Sequence, residues 1–298
     1  MEMTPKKSPN KWLLGLGIGC GGAVVIVIVL FVVGYLFVRN ATQGFRASDE
    51  LMKSLEAKHG RAEDYCPDPG GAVAAERLEL FLAAREDARS ARASLEASLK
   101  TLTEYEKDKQ AGGESSKNVF QALKVGVGMI PQMSDFMRIR AQALIDRGMG
   151  EGEYYYIYVV AYHAWLKKPV LDGTAFLVRG PGRDSSDPDD QAALSFSRDM
   201  ILTRAHRLVL PMLKCQLAKL EAGRSAGAAA DKWSEALAAE IKAMEADRSR
   251  LPWRDGVPEA IESSLRPFRD RLEAGFSPLA DVFEISRDER GRPAAKGI

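Results

Sequence analysis

Apolar positions along this chain follow two different patterns. From residue 47 onward they recur at steps of three and four, the spacing that lines one face of an α-helix. Before that, from Trp12 to Val38, they run on without one charged side chain, and Leu13 to Val38 holds seventeen Leu, Ile, Val and Phe residues. A bilayer core about 30 Å thick takes roughly 20 apolar residues as helix. Residues 12–38 are therefore expected to form a transmembrane helix, and residues 1–11 a short tail.

The flanks set the expected orientation. Lys6, Lys7 and Lys11 precede the run, whereas Arg39 and Arg46 follow it before Asp49 and Glu50 appear. The basic side belongs in the cytoplasm and the remainder outside it. The run exceeds the roughly 7 to 15 apolar residues of a secretory signal, and Arg39-Asn40-Ala41-Thr42-Gln43 offers no Ala-x-Ala cleavage site, so an uncleaved anchor is expected. Gly15 and Gly19 keep the small-residue spacing that lets two membrane helices approach, an expected route to self-association. Gly17 to Gly22 also fits G-x-G-x-x-G, but that pattern cradles a dinucleotide only between a strand and a helix.

Residues 39–71 read as a juxtamembrane helix, ended by Gly60, and a loop containing Pro67 and Pro69. Residues 72–285 then predict a helical domain. Leu78, Leu82, Ala88, Ala91, Leu95, Leu99, Leu102 and Tyr105 mark one face of a single helix from Val73 to Lys109. Phe120, Leu123, Val127, Ile130, Ser134, Met137, Ala141 and Leu144 mark the next, with a kink expected at Pro131. Glu153 to Leu166 is rich in β-branched and aromatic residues but lacks period-two alternation, while Tyr154, Tyr158, Ala161 and Trp165 keep helical spacing. It is predicted as a buried helix.

Lys167 to Asp190 reads as a long loop; a helix resumes near Asp189, with Leu194 to Cys215 marking its inner face and a bend expected at Pro211. Trp233 to Met244 and Val257 to Leu272 give two more helices. Pro278 to Ile285 is expected to pack as an extended arm, and residues 286–298 to be disordered. The expected fold class is all-α: an N-terminal transmembrane helix followed by an irregular bundle of about six helices.

Charge changes the picture by exclusion. Residues 47–298 carry 37 basic against 40 acidic side chains, so no concentrated basic surface is available for nucleic acid. Of the three cysteines, Cys20 lies in the apolar run, leaving Cys66 and Cys215 to pair if the domain lies in an oxidising compartment. Alternatively Cys215, on an apolar stripe, packs as a small hydrophobe.

Candidate chemistry is sparse. His59, His163 and His206 are the only histidines, none in H-E-x-x-H, and no cysteine or carboxylate set has the spacing of a zinc site; no metal or cofactor is expected. There is no G-x-S-x-G elbow and no P-loop. Tyr156 and His163, seven residues apart, would lie near one face and with the loop 169–190 line an aromatic, ligand-binding pocket. Buried rings with satisfied polar tips are the alternative.

The Cys-Pro-x-Pro-Gly-Gly loop at residues 66–71, Gly128-Met129-Ile130-Pro131-Gln132, the Tyr-rich segment from Glu153 to Tyr158 and a terminal Phe283-Glu284-Ile285 together resemble uncharacterised bacterial single-pass membrane proteins. The resemblance implies a helical extracytoplasmic domain and transfers no activity. The expected protein is anchored in the bacterial inner membrane, N-terminus in, with the lipid bilayer and an envelope protein as partners. Its expected role is structural or protein-interacting. A ligand-binding or sensor domain is the second reading, and an enzyme of unknown reaction the third.

Overall fold

The computed structural model describes residues 47–110, 116–170, 188–224, 231–280 and 283–284. The expected transmembrane helix with Gly15 and Gly19, the tail 1–11, residues 286–298 and most of the loop after Val170 lie outside this set. No helix among the described residues is long and apolar enough to cross a membrane.

Every regular element among the described residues is helical. Helix α1 (47–59) leads through a short 3₁₀ turn (Ala62–Asp64) and a loop into α2 (Ala75–Asp87) and α3 (Arg89–Gln110). Then follow α4 (Ser116–Asp146), α5 (Glu151–Tyr158) with its π-helical continuation (Val159–Trp165), α6 (Pro188–Ala222) and α7 (Lys232–Ala246). A short α8 (Glu259–Leu265), a 3₁₀ turn (Arg266–Phe268) and α9 (Arg269–Gly275) complete the bundle. Helix α3 packs on α4 as a hairpin, α2 lies across α4, α5 and α9, and α6 pairs with α7. The 3₁₀ turn at Ala62–Asp64 sits against both α5 and α6.

Local chemistry sets the boundaries. α1 stops at Gly60, whose φ of +80° is the left-handed conformation glycine adopts without a Cβ clash, and its amide closes on Glu56 O at 2.8 Å. α4 ends at Gly148 (φ +62°) with paired closing bonds, Met149 N to Leu144 O and Gly148 N to Ile145 O. α7 begins where the Asp231 carboxylate accepts Ser234 N at 2.7 Å.

Two expected helices are split in the structure. The predicted Val73 to Lys109 helix is two, broken at Ala88 (φ −88°, ψ 0°) with no proline or glycine there; both halves pack on α4, and the bend lets α2 also reach α5 and α9. The predicted Val257 to Leu272 helix is interrupted at Arg266–Phe268, where Pro267 supplies no amide. As expected of helices that bend rather than stop there, α4 and α6 continue through Pro131 and Pro211, both exposed. Pro278 to Ala280 forms a turn, and Phe283 and Glu284 close a helical turn on Ala280 O rather than an extended arm.

The core is centred on the α5 segment, buried from Tyr154 to Ala164. Phe81 and Leu78 come to it from α2, Phe136 and Leu144 from α4, Val209 and Leu213 from α6, and Leu272 from α9. Leu55 of α1 and Ala62 belong to the same core, so residues 47–71 lie on the body. That arm is fastened: Cys66 and Cys215 form a disulfide with Cα atoms 5.5 Å apart. Gln216 Nε2 donates to Asp68 O and Trp233 Nε1 to Pro69 O, each at 2.6 Å. Gly71 (φ +82°) is buried under the Trp233 ring, where a Cβ would come within 2.5 Å of it.

Candidate functional site

The winding of the Tyr-rich segment changes halfway along. Four residues of α-helix overshoot a full turn by about 40°, while π winding, with its bonds from i to i+5, undershoots. Tyr154, Tyr158 and Tyr162 consequently stack in a row, with ring centroids 6.3 Å and then 4.8 Å apart. Leu166 N closes on Ala161 O, five residues back. Such π turns recur at functional sites.

Beside this row, three helices converge on one carboxylate. Arg85 of α2 donates from Nη1 to Glu284 Oε1 and to Tyr154 Oη, both at 2.9 Å. Tyr154 Oη donates to Glu284 Oε2 at 2.7 Å, and Arg140 of α4 reaches the same oxygen at 3.3 Å. Arg140 also donates to the main-chain carbonyls of Phe283 and Glu284, and Arg85 Nη2 to Gly275 O. The four residues are between 3% and 7% exposed. The guanidinium of Arg85 lies 5.0 Å from the ring centres of both Tyr158 and Tyr162, adding cation–π attraction.

Electrostatics fix the protonation states. Burial resists ionisation of Glu284, but Arg85, Arg140 and the Tyr154 hydroxyl, helped by Arg92, outweigh it and hold the carboxyl below its ordinary range. Burial pushes the Tyr154 phenol up, and the Tyr156 and Tyr65 phenols likewise. Near neutral pH the carboxylate is charged and these phenols are protonated. The cluster is thus built to bind charge and geometry, with no group of this set poised to exchange a proton near neutrality.

Tyr156 and His163 find different partners. Tyr156 packs on Tyr65 at 5.9 Å, with Gln216 beside its hydroxyl. His163 lies against Tyr158 and Phe276 and donates from Nδ1 to Lys168 O at 2.9 Å. Change of winding after Tyr158 separates what seven residues of uniform α-helix would align. A shallow groove of about 460 Å³ lies elsewhere, lined by Asp87, Arg138, Ile139, Gln142, Ala143, Asp146 and Arg147 and containing neither residue.

A second irregular spot adjoins the π turn. Lys167 (φ +52°) and Trp253 (φ +58°) are the non-glycine residues with positive φ among the described residues, a conformation that side chains resist. They meet: Lys167 Nζ donates to Arg254 O at 3.0 Å and to Trp253 O at 3.4 Å. Glu240 holds the same loop, accepting from Trp253 N and from Arg250. This buried pair anchors the loop in its strained form.

Sequence reasoning missed Arg85, Arg140 and Glu284. The available signal was a charged residue on an apolar stripe: Arg85 between Leu82 and Ala88, Arg140 beside Ala141, and Glu284 between Phe283 and Ile285. Among the described residues no three His, Cys, Asp or Glu side chains gather to hold a metal ion. No protein-family model, curated protein or solved structure matches the chain.

Proposed function

We propose that this chain is a bitopic envelope protein, anchored in the bacterial inner membrane by residues 12–38, whose helical domain lies outside the cytoplasm and serves a structural or protein-interaction role. The observation that carries the reading is the Cys66–Cys215 disulfide, a bond that persists in oxidising compartments, in a chain whose preceding residues include an uncharged span of membrane length. The resemblance to bacterial single-pass proteins agrees with it. The interaction role is supported by the interior: the tyrosines of the α5 segment are buried in packed core, Tyr154 donating to Glu284 and its neighbours making ring contacts, which leaves the outer surface as the place for partners.

The reading is tested on the full chain in cells. Alkylation before and after reduction should find Cys66 and Cys215 protected until reductant is added, and a reporter active only outside the cytoplasm, fused after Ile298, should be active. Cross-linking in the native membrane should yield one discrete heavier adduct. Reduced cysteines together with a silent reporter would overturn the topology, and a chain that stays monomeric under cross-linking would overturn the interaction role.

A further inference from the structure

Helix α1 ends on a histidine that is packed against the domain. His59 seats on Gly150, the residue before α5: a Cβ at Gly150 would stand 3.0 Å from the His59 Cβ and 3.7 Å from its ring carbon Cγ. Nε2 of the ring is buried and has no hydrogen-bond partner among the described residues. A neutral imidazole tolerates this by carrying its proton on Nδ1, whereas an imidazolium must place a charged N–H on Nε2 with nothing to accept it.

The surroundings disfavour the charged ring as well. The charges acting on it are those of Lys58 on its own helix, Arg77 of α2 and Glu153 of α5. Glu153, the acid among these three, is already engaged, accepting from Nε and Nη2 of Arg77. The positive end of the α5 dipole lies at Gly150, with no side chain capping it. Lys58 and the negative end of the α1 dipole act on the ring whether or not α1 is docked, while burial, Arg77 and α5 act only in the docked form. Burial first, then Lys58 and Arg77, outweigh Glu153 and hold His59 below its ordinary value of 6.5. Docking excludes the proton, so its contribution is fully present above 6.5 and weakens as pH falls from there to the lower, docked value.

The segment that would respond is bounded on both counts of contact and length. α1 holds to the core through few side chains, Leu55 and Ser48 buried and Met52 partly so, and an element with few buried contacts opens before the rest of a domain. After Gly60 the Cys66–Cys215 bond, with the Gln216 and Trp233 hydrogen bonds to Asp68 and Pro69, pins the chain to α6 and α7, so an opening that begins in α1 stops short of Cys66.

We propose that His59 is a pH-responsive clasp that holds helix α1 on the domain, so that acidification frees residues 47–60 from the body while the disulfide keeps the following loop in place. For its trigger the inference rests on the envelope reading, which exposes the domain to the acidity outside the cytoplasm. The two fail separately, because the opening of α1 in purified protein reports no topology.

Hydrogen–deuterium exchange of the purified full chain in detergent, at about pH 7.5 and about pH 5.5 with intrinsic rates corrected, reads that opening directly. Amides of residues 51–59 should lose protection by at least about twofold at the lower pH while those of α4 from Ser134 to Asp146 keep theirs, and His59→Gln, which takes up no proton, should abolish the difference. An equal loss in wild type and His59→Gln, no loss in either, or a uniform loss that includes α4 would each overturn the proposal. Should His59→Gln lose helix content by circular dichroism, the ring's own proton resonance decides in the wild type: a titration midpoint below 6.5 supports the clasp, and one at or above 6.5 overturns it.

Discussion

Glu284 carries more of the interior's order than its place in the sequence suggests, because two guanidiniums and a phenol depend on its charge. Glu284→Gln should lower stability by about 3–5 kcal/mol at neutral pH, the usual cost of leaving buried charges unpaired, read from denaturant midpoints. The pH dependence has a defined sign. The folded carboxyl sits below its ordinary value of 4.5, so its contribution is fully present above that value and fades as pH falls through the lower, folded one. The gap between wild type and Glu284→Gln should therefore narrow below pH 4.5, and a gap that widens there would contradict the assignment. Tyr158→Ala should cost about 3–5 kcal/mol through lost burial and a cavity, since Tyr158 is 0% exposed. Trp165→Ala should cost less, because that ring is only partly buried and its neighbour Arg269 remains solvated. Apolar residues were legible from the sequence because burial and periodicity go together. Arg85, Arg140 and Glu284 were not, since a charged residue announces its partner only when the partner is close in sequence.

At the scale of elements, spacing located the helices and misjudged their continuity. The period of three and four gave α4, α6 and α7 directly but joined α2 to α3, because the break at Ala88 has no local breaker and goes with α2 reaching α5 and α9 as well as the α4 that both halves share. The π turn was hidden for a related reason: a stretch of Tyr, Val and Ala suits either winding, and tertiary packing of Tyr162 on Phe81 and Phe276 selects the wider one. One glycine sets how closely the N-terminal arm approaches α5. A Cβ at Gly152 would stand 2.3 Å from Ala62 O and 2.6 Å from the Tyr65 Cβ, with backbone on the crowded side. Gly152→Ala should accordingly cost about 1–3 kcal/mol by overpacking, and calorimetry should show it; Gly148→Ala, where nothing lies within 4 Å but φ is +62°, separates conformational strain from crowding.

For the whole molecule, the disulfide ties an N-terminal arm to α6 across 149 residues, and closing so long a loop restricts the unfolded chain. Reduction, or Cys66→Ser, should lower stability by about 5 kcal/mol on the loop-entropy argument, measured as a shift in urea midpoint between oxidised and reduced protein. Pairing of these two cysteines stood in the sequence as one of two alternatives; what it could not reveal was the accompanying clamp of Gln216 and Trp233 on the same loop, which pairs residues far apart in the chain. The bond has a mechanical consequence as well. Tension applied between residues 47 and 284 enters the covalent link at Cys66 and leaves at Cys215, so the stretch between them, a sequence separation of 149, bears none of it while the link is intact. At 3.3–3.6 Å per extended residue, roughly 500 Å of contour length is thereby withheld. Stretching single molecules with and without reductant should expose that hidden length as one additional extension, turning a chemical reducing event into a change in reach.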